Sequence, residues 1–105
     1  MAAIALLCPD LLFGSKVEGS LRAAGHEVRT VTDAGDAGEA ELLVIDLTSD
    51  ARRRLEGLPA LPTLAFYSHV EQHVRQLAEQ AGVTRVVPRS RMSREGPDLV
   101  EALLA

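Results

Sequence analysis

The segment from Glu41 to Thr48 constrains the fold of this chain more than any other stretch. Four consecutive apolar residues, Leu42 to Ile45, lead directly into the carboxylate of Asp46 and then into a polar turn. A run of this length, bounded on both sides by turn residues, is typical of a parallel strand that is buried on both faces. Ligands of open α/β sheets bind beyond the strand ends, so Asp46 is a candidate functional residue.

The rest of the chain alternates between strand and helix patterns. Short apolar or alternating runs predict four further strands, at residues 3–7, 27–32, 63–67 and 83–87. Helical spacing of apolar residues predicts helices over residues 11–24, 69–81 and 97–104. The connections on either side of the Asp46 strand are shorter, and the first contains Gly35 and Gly38. The order βαβαβαβαβα predicts one parallel sheet with helices on both faces.

Local signals predict how the last two helices begin. Ser68 and Glu71 have the spacing of a capping box, so a helix is expected to start just after Ser68 and to bury Val70. Pro97 is predicted at the first position of the last helix. The basic stretch 88–94 before it is predicted to be a solvated turn.

Length and charge exclude several classes of protein. The 105 residues suit a single domain, residues 1–105, and the net charge of -4 disfavours an extended nucleic-acid surface. One cysteine excludes an internal disulfide framework, and no segment approaches the roughly 20 apolar residues of a membrane span. The apolar run 2–7 is too short for a secretory signal and lacks its basic flank, so a cytoplasmic location is expected.

The chain resembles, over nearly its whole length, the receiver domain of bacterial response regulators. The resemblance rests on Asp46 within Val44-Ile45-Asp46-Leu47 and on the turn Gly25-His26-Glu27-Val28 before the second strand. It implies a three-layer, doubly wound α/β fold with a five-stranded parallel sheet in the order 2-1-3-4-5. The intervals around Asp46 are shorter than in the family, which implies shortened second and third helices. It also implies that Asp46 occupies the phosphoacceptor position.

The family's other site positions carry different residues here. The acidic pair that closes strand one falls on Cys8 and Pro9, the Thr position falls on Tyr67 beside Ser68, and the Lys position falls on Arg89. Only Asp10 and Asp46 remain as carboxylate ligands for Mg²⁺, which prefers several oxygen ligands. We therefore expect a degenerate receiver, or pseudo-receiver, with no cofactor unless Asp46 is phosphorylated. Its binding residues are predicted to be Asp10, Asp46, Tyr67, Ser68 and Arg89.

This reading makes the chain a non-enzymatic interaction module. Its expected partner is a protein such as a histidine kinase or a regulator, and the resemblance implies a possible homodimer through the fourth helix, fifth strand and fifth helix. One hypothesis is an ion pair between Asp46 and Arg89, which would imitate a charged state without phosphate. The alternative is a genuine phosphoacceptor phosphorylated on Asp46 with Mg²⁺.

Two minor alternatives remain. Cys8 ends a strand before a helix, which would suit a small α/β phosphotransfer enzyme, although Pro9 to Phe13 is too bulky for a phosphate-binding loop. His69 and His73 are four residues apart and could share a metal ion, but the sequence supplies no third ligand, so we expect two surface histidines.

Overall fold

The computed structural model describes residues 1–105 and contains one five-stranded sheet in which every strand pairing is parallel. Its strands are β1 (Ala3–Leu7), β2 (Glu27–Thr30), β3 (Leu42–Asp46), β4 (Thr63–Tyr67) and β5 (Arg85–Pro88). Their order across the sheet is β2-β1-β3-β4-β5, which confirms the predicted order and the doubly wound α/β class.

Three α-helices and one 3₁₀ helix connect the strands, and a fourth α-helix follows the last strand. They are α1 (Leu11–Ala23), the 3₁₀ helix (Ala34–Ala37), α2 (Ala51–Arg54), α3 (Gln72–Gln80) and α4 (Arg89–Leu104). The second and third connections hold only four helical residues each, as predicted. No helix has the length and apolar character needed to cross a membrane.

The central strand β3 divides the core into two layers. All five of its residues are buried, and its four apolar residues alternate between two apolar clusters because successive side chains of a strand point to opposite faces. Leu42 and Val44 pack in the cluster that includes residues of α1 and α4, whereas Leu43 and Ile45 pack in the cluster beneath α3. This burial fixes where the strand ends, and therefore where Asp46 lies.

The predicted start of the helix after β4 is wrong. Helix α3 begins at Gln72, and its N-cap residue Glu71 makes no side-chain capping bond. The Glu71 backbone N–H instead donates to the Ser68 carbonyl at 2.9 Å, so these residues form a turn that precedes the helix. Val70 lies in this turn and is 76% exposed rather than buried.

The last helix begins earlier than predicted. The stretch expected to be a basic turn forms the first turns of α4, for which Pro88 is the N-cap. The backbone leaves helical geometry at Glu95 and resumes the helix beyond it, so Pro97 lies near the start of a second helical segment. Strand β5 begins at Arg85, two residues later than predicted, and the Val83 N–H donates instead to the Ala78 carbonyl of α3 at 3.1 Å.

Candidate functional site

Asp46 is the last residue of β3, and its side chain faces inward at the carboxyl edge of the sheet. The residue is only 3% exposed. Its Oδ1 atom accepts hydrogen bonds from the Thr48 backbone N–H at 2.8 Å and from the Thr48 hydroxyl at 2.6 Å. Both bonds stabilise a local turn in which the aspartate side chain accepts from the residue two positions further along the chain.

The other carboxylate oxygen faces a thiol and a guanidinium. The Cys8 thiol, at the end of β1, donates to Oδ2 of Asp46 at 3.5 Å. Arg54, the last residue of α2, donates from Nη1 to the Asp46 backbone carbonyl at 3.0 Å, and the same nitrogen lies 3.8 Å from Oδ2. The protein itself therefore supplies both the hydrogen bonds and the positive charge that this buried carboxylate needs.

The hypothesis that Asp46 pairs with Arg89 is wrong. Arg89 Nη2 lies 3.3 Å from Oδ2 of Asp10, and its guanidinium carbon lies 4.3 Å from the centre of the Phe13 ring. Stacking on this ring holds the guanidinium over the first turn of α1, where Asp10 is the nearest carboxylate. The other oxygen of Asp10 caps α1 by accepting the Phe13 N–H at 3.0 Å.

Cys8 is held as a neutral thiol. Burial, followed by the negative charge of Asp46, raises its pKa from 9.0 to about 12. Because the thiolate is the nucleophile, a thiol with this pKa is unreactive at neutral pH. The geometry at the end of β1 therefore opposes nucleophilic chemistry at Cys8.

The carboxylates at this edge do not fit a magnesium ion. One oxygen of Asp10 caps α1 and the other pairs with Arg89, while Asp46 is enclosed by Thr48, Cys8 and Arg54. No group of three His, Cys, Asp or Glu side chains is placed to hold a metal ion. The nearest side chain to Oδ2 of Asp46 from β1 is the Cys8 thiol, and Mg²⁺ takes oxygen ligands rather than sulfur.

The two candidate metal-binding histidines do not share a helix. His69 lies in the turn between β4 and α3, whereas His73 lies in the first turn of α3. The spacing of four residues therefore does not place both imidazoles on one helical face.

Three of the five predicted binding residues border one open cavity of about 420 Å³ at the ends of β4 and β5. They are Tyr67, Ser68 and Arg89, whereas Asp10 and Asp46 do not line it. The Tyr67 side chain is buried and belongs to the apolar cluster that includes Val74 of α3. The predicted residues thus divide between this cavity and the enclosed carboxylates.

Two residues that contact Asp46 were not predicted from the sequence. Thr48 could have been found, because a hydroxyl residue two positions after an aspartate is a common turn pattern. Arg54 could not, because it is one of three consecutive arginines, Arg52 to Arg54. The rotation of the one-turn helix α2 about its own axis decides which of the three arginines reaches the end of β3.

No protein-family model matches this chain, and no curated protein matches its sequence. Solved structures of receiver domains do match its fold. CheY4 from Vibrio cholerae is 16% identical with a TM-score of 0.80, and the match covers 99% of both chains. The non-phosphorylated HemR receiver domain from Leptospira biflexa is 17% identical with a TM-score of 0.76, covering 100% of this chain and 95% of that one.

A longer protein contains the same fold as one part. NtrX from Brucella abortus, in complex with ADP, is 21% identical with a TM-score of 0.82, and the match covers 98% of this chain. This chain spans only 27% of the NtrX chain. The fold of this chain is therefore that of response-regulator receiver domains.

Proposed function

We propose that residues 1–105 form a receiver-type signalling module of the pseudo-receiver kind, which binds a partner protein without Mg²⁺-dependent phosphorylation of Asp46. The observation that carries the proposal is the enclosure of the Asp46 carboxylate by Thr48, Cys8 and Arg54. Asp46 lies at the end of β3, the position that the resemblance gives to a phosphoacceptor, but side chains of the protein itself already contact its carboxylate.

Phosphoryl transfer to an aspartate depends on positioning and on metal ions that neutralise the developing charge. A carboxylate that is 3% exposed offers a phosphodonor little access. The Arg54 guanidinium already supplies positive charge at Oδ2, and this charge does not depend on a metal or a phosphate. These contacts support a module in which the charges around Asp46 are set by the protein and do not change through phosphorylation.

Genuine phosphoacceptor activity is the second candidate, and the position of Asp46 in a receiver fold favours it. The test is incubation with acetyl phosphate and Mg²⁺, followed by intact-mass measurement, with Asp46→Asn as the matched control. We expect no added phosphoryl group on either protein. A phosphoryl group on the wild type that is absent from Asp46→Asn would replace this proposal with the second candidate.

The partner proposed for this module is a histidine kinase or a regulator. A second copy of the chain is the other proposed partner, bound through α3, β5 and α4, which are the fourth helix, fifth strand and fifth helix of the sequence analysis. A module that works without phosphate should bind its partner equally well as wild type and as Asp46→Asn. Affinity can be measured by calorimetry with a purified candidate kinase, and self-association by sedimentation. A partner that binds only after phosphodonor treatment would contradict the proposal.

The proposal assigns no enzymatic role to Cys8. The raised pKa of its thiol, about 12, supports this assignment because almost no thiolate forms at neutral pH. Slow alkylation of native Cys8 by iodoacetamide at pH 7, compared with the unfolded chain, is the expected result. Rapid alkylation of the folded protein would restore the phosphotransfer alternative.

A further inference from the structure

The two edges of the sheet differ in charge. Strand β2 lies at one edge and β5 at the other, because the strand order is β2-β1-β3-β4-β5. The segment from Glu27 to Glu41, which contains β2 and the 3₁₀ helix, has five acidic residues and only one basic residue, Arg29. At the β5 edge, by contrast, arginines gather around one cavity. The chain is therefore electrically asymmetric across its sheet.

The acidic surface consists of five exposed side chains on β2 and on the connection that follows it. They are Glu27, Asp33, Asp36, Glu39 and Glu41, and none of them forms an ion pair within the protein. Glu27 and Glu39 border one open cavity of about 500 Å³. Arg29 also borders it and donates from Nη2 to the Ala37 carbonyl at 2.7 Å. Since Arg29 offsets only one of the five charges, this surface is strongly negative.

The basic surface lines an open cavity of about 260 Å³ beside β5. Three arginines from three elements border this cavity, namely Arg75 of α3, Arg85 of β5 and Arg91 of α4. Arg85 forms no ion pair within the protein, and the other two arginines each meet one carboxylate at 3.4 Å, from Glu79 and Glu95. Glu79 is the only acidic residue that lines the cavity. Positive charge therefore remains available to a partner at this surface.

We infer that the basic surface of one copy of the chain binds the acidic surface of a second copy, so that copies associate head to tail. A symmetric contact through either surface would bring like charges together, which is unfavourable. A head-to-tail contact joins opposite charges instead, and it leaves one surface of each kind free to continue the assembly. The occupant of the basic surface is thus chosen by charge complementarity.

This inference rests on the self-association proposed above. It keeps α3, β5 and α4 as one contact surface and names the acidic surface as the surface that they meet. Exposed ion pairs are individually weak and are screened by salt, so we expect a transient contact that depends on ionic strength.

The test is sedimentation velocity of the whole chain at protein concentrations up to about 1 mM, in low and in high salt. In about 0.02 M salt the average mass should rise with protein concentration. In about 0.5 M salt, where the screening length falls to roughly 4 Å, the protein should remain monomeric.

Two charge reversals locate the surfaces. Glu39→Lys and Arg85→Glu should each weaken association in low salt by about tenfold or more, because each places like charges together. An equal mixture of the two variants joins opposite charges again, so its association should return towards that of the wild type. Asp98→Lys and Lys16→Glu make the same charge changes at exposed residues outside both surfaces and should associate as the wild type does.

Three results would overturn the inference: a wild type that stays monomeric in low salt, unchanged association of Glu39→Lys, or a mixture that associates no more than either variant alone. Loss of association in Arg85→Glu but not in Glu39→Lys would show a symmetric contact through α3, β5 and α4. None of these results concerns the phosphorylation of Asp46, which the acetyl phosphate experiment decides. Failure of this inference is therefore distinguishable from failure of the pseudo-receiver proposal.

Discussion

Nη1 of Arg54 donates to the backbone carbonyl of Asp46 at 3.0 Å and lies 3.8 Å from the carboxylate of the same residue. One guanidinium thus ties α2 to the end of β3 and balances a buried negative charge. This pairing takes the place of the Asp46–Arg89 pair expected from the sequence, and it leaves Arg89 free to contact α1.

Replacing Arg54 should destabilise the protein through Asp46. Arg54→Gln removes the charge next to a buried carboxylate, and we expect the free energy of unfolding to fall by about 1–3 kcal/mol. Urea unfolding measures this change. Arg53→Gln, an exposed neighbour on the same helix, should change it by no more than about 0.5 kcal/mol.

The double variant shows whether the effect acts through Asp46. In an Asp46→Asn background there is no buried charge to balance, so the Arg54→Gln substitution should cost less. Equal costs in both backgrounds would mean that Arg54 stabilises the fold only through its bond to the backbone carbonyl.

Stability should depend on the ionisation of Cys8 at high pH. Its pKa is about 12 in the folded protein against 9.0 ordinarily, so the unfolded chain loses the thiol proton first. The stabilisation from the neutral thiol is complete below pH 9 and is lost as the pH rises towards 12. The free energy of unfolding of the wild type should fall relative to that of Cys8→Ala as the pH rises across this window. A constant difference would contradict the raised pKa.

A carboxylate at position 8 should create a metal dependence. The Cys8 thiol lies 3.5 Å from Oδ2 of Asp46, so Cys8→Asp places two carboxylates together. We expect this variant to unfold more easily than the wild type without divalent cations and to be stabilised by Mg²⁺. Thermal unfolding with and without Mg²⁺ measures the effect, and Cys8→Asn should show none.

Asp10 has two roles that substitution can separate. Asp10→Asn keeps an N-cap oxygen for the Phe13 N–H and loses only the exposed pair with Arg89, so it should cost less than about 1 kcal/mol. Asp10→Ala removes the cap as well and should cost about 0.5–2 kcal/mol. Urea unfolding distinguishes the two variants, and equal costs would mean that the cap contributes nothing.

The fold could be predicted from the sequence because its signals are local and repeated. The apolar run that ends at Asp46 and the left-handed glycines Gly25 and Gly82, with φ of +95° and +91°, set the strand and helix ends. The turn at Ser68 was missed because the capping-box pattern is equally compatible with a turn, and the Glu71 N–H bonds the Ser68 carbonyl instead.

The site was less predictable because its contacts join distant parts of the chain. The position of Asp46 followed from its strand, but its partners Cys8 and Arg54 depend on how β1 and α2 pack beside β3. Arg89 follows β5 directly, and its stacking on Phe13 decides which carboxylate it meets. Charge and sequence spacing alone do not contain this information.

The most direct test of the enclosed carboxylate is the response of the Asp46 and Thr48 backbone amides to beryllofluoride and Mg²⁺ in a ¹H–¹⁵N NMR spectrum. The Thr48 N–H donates to Oδ1 of Asp46, so any ligand on the carboxylate must change its chemical shift. Enclosure of Asp46 by Thr48, Cys8 and Arg54 predicts no saturable shift at either amide. A saturable shift there that disappears in Asp46→Asn would contradict this account.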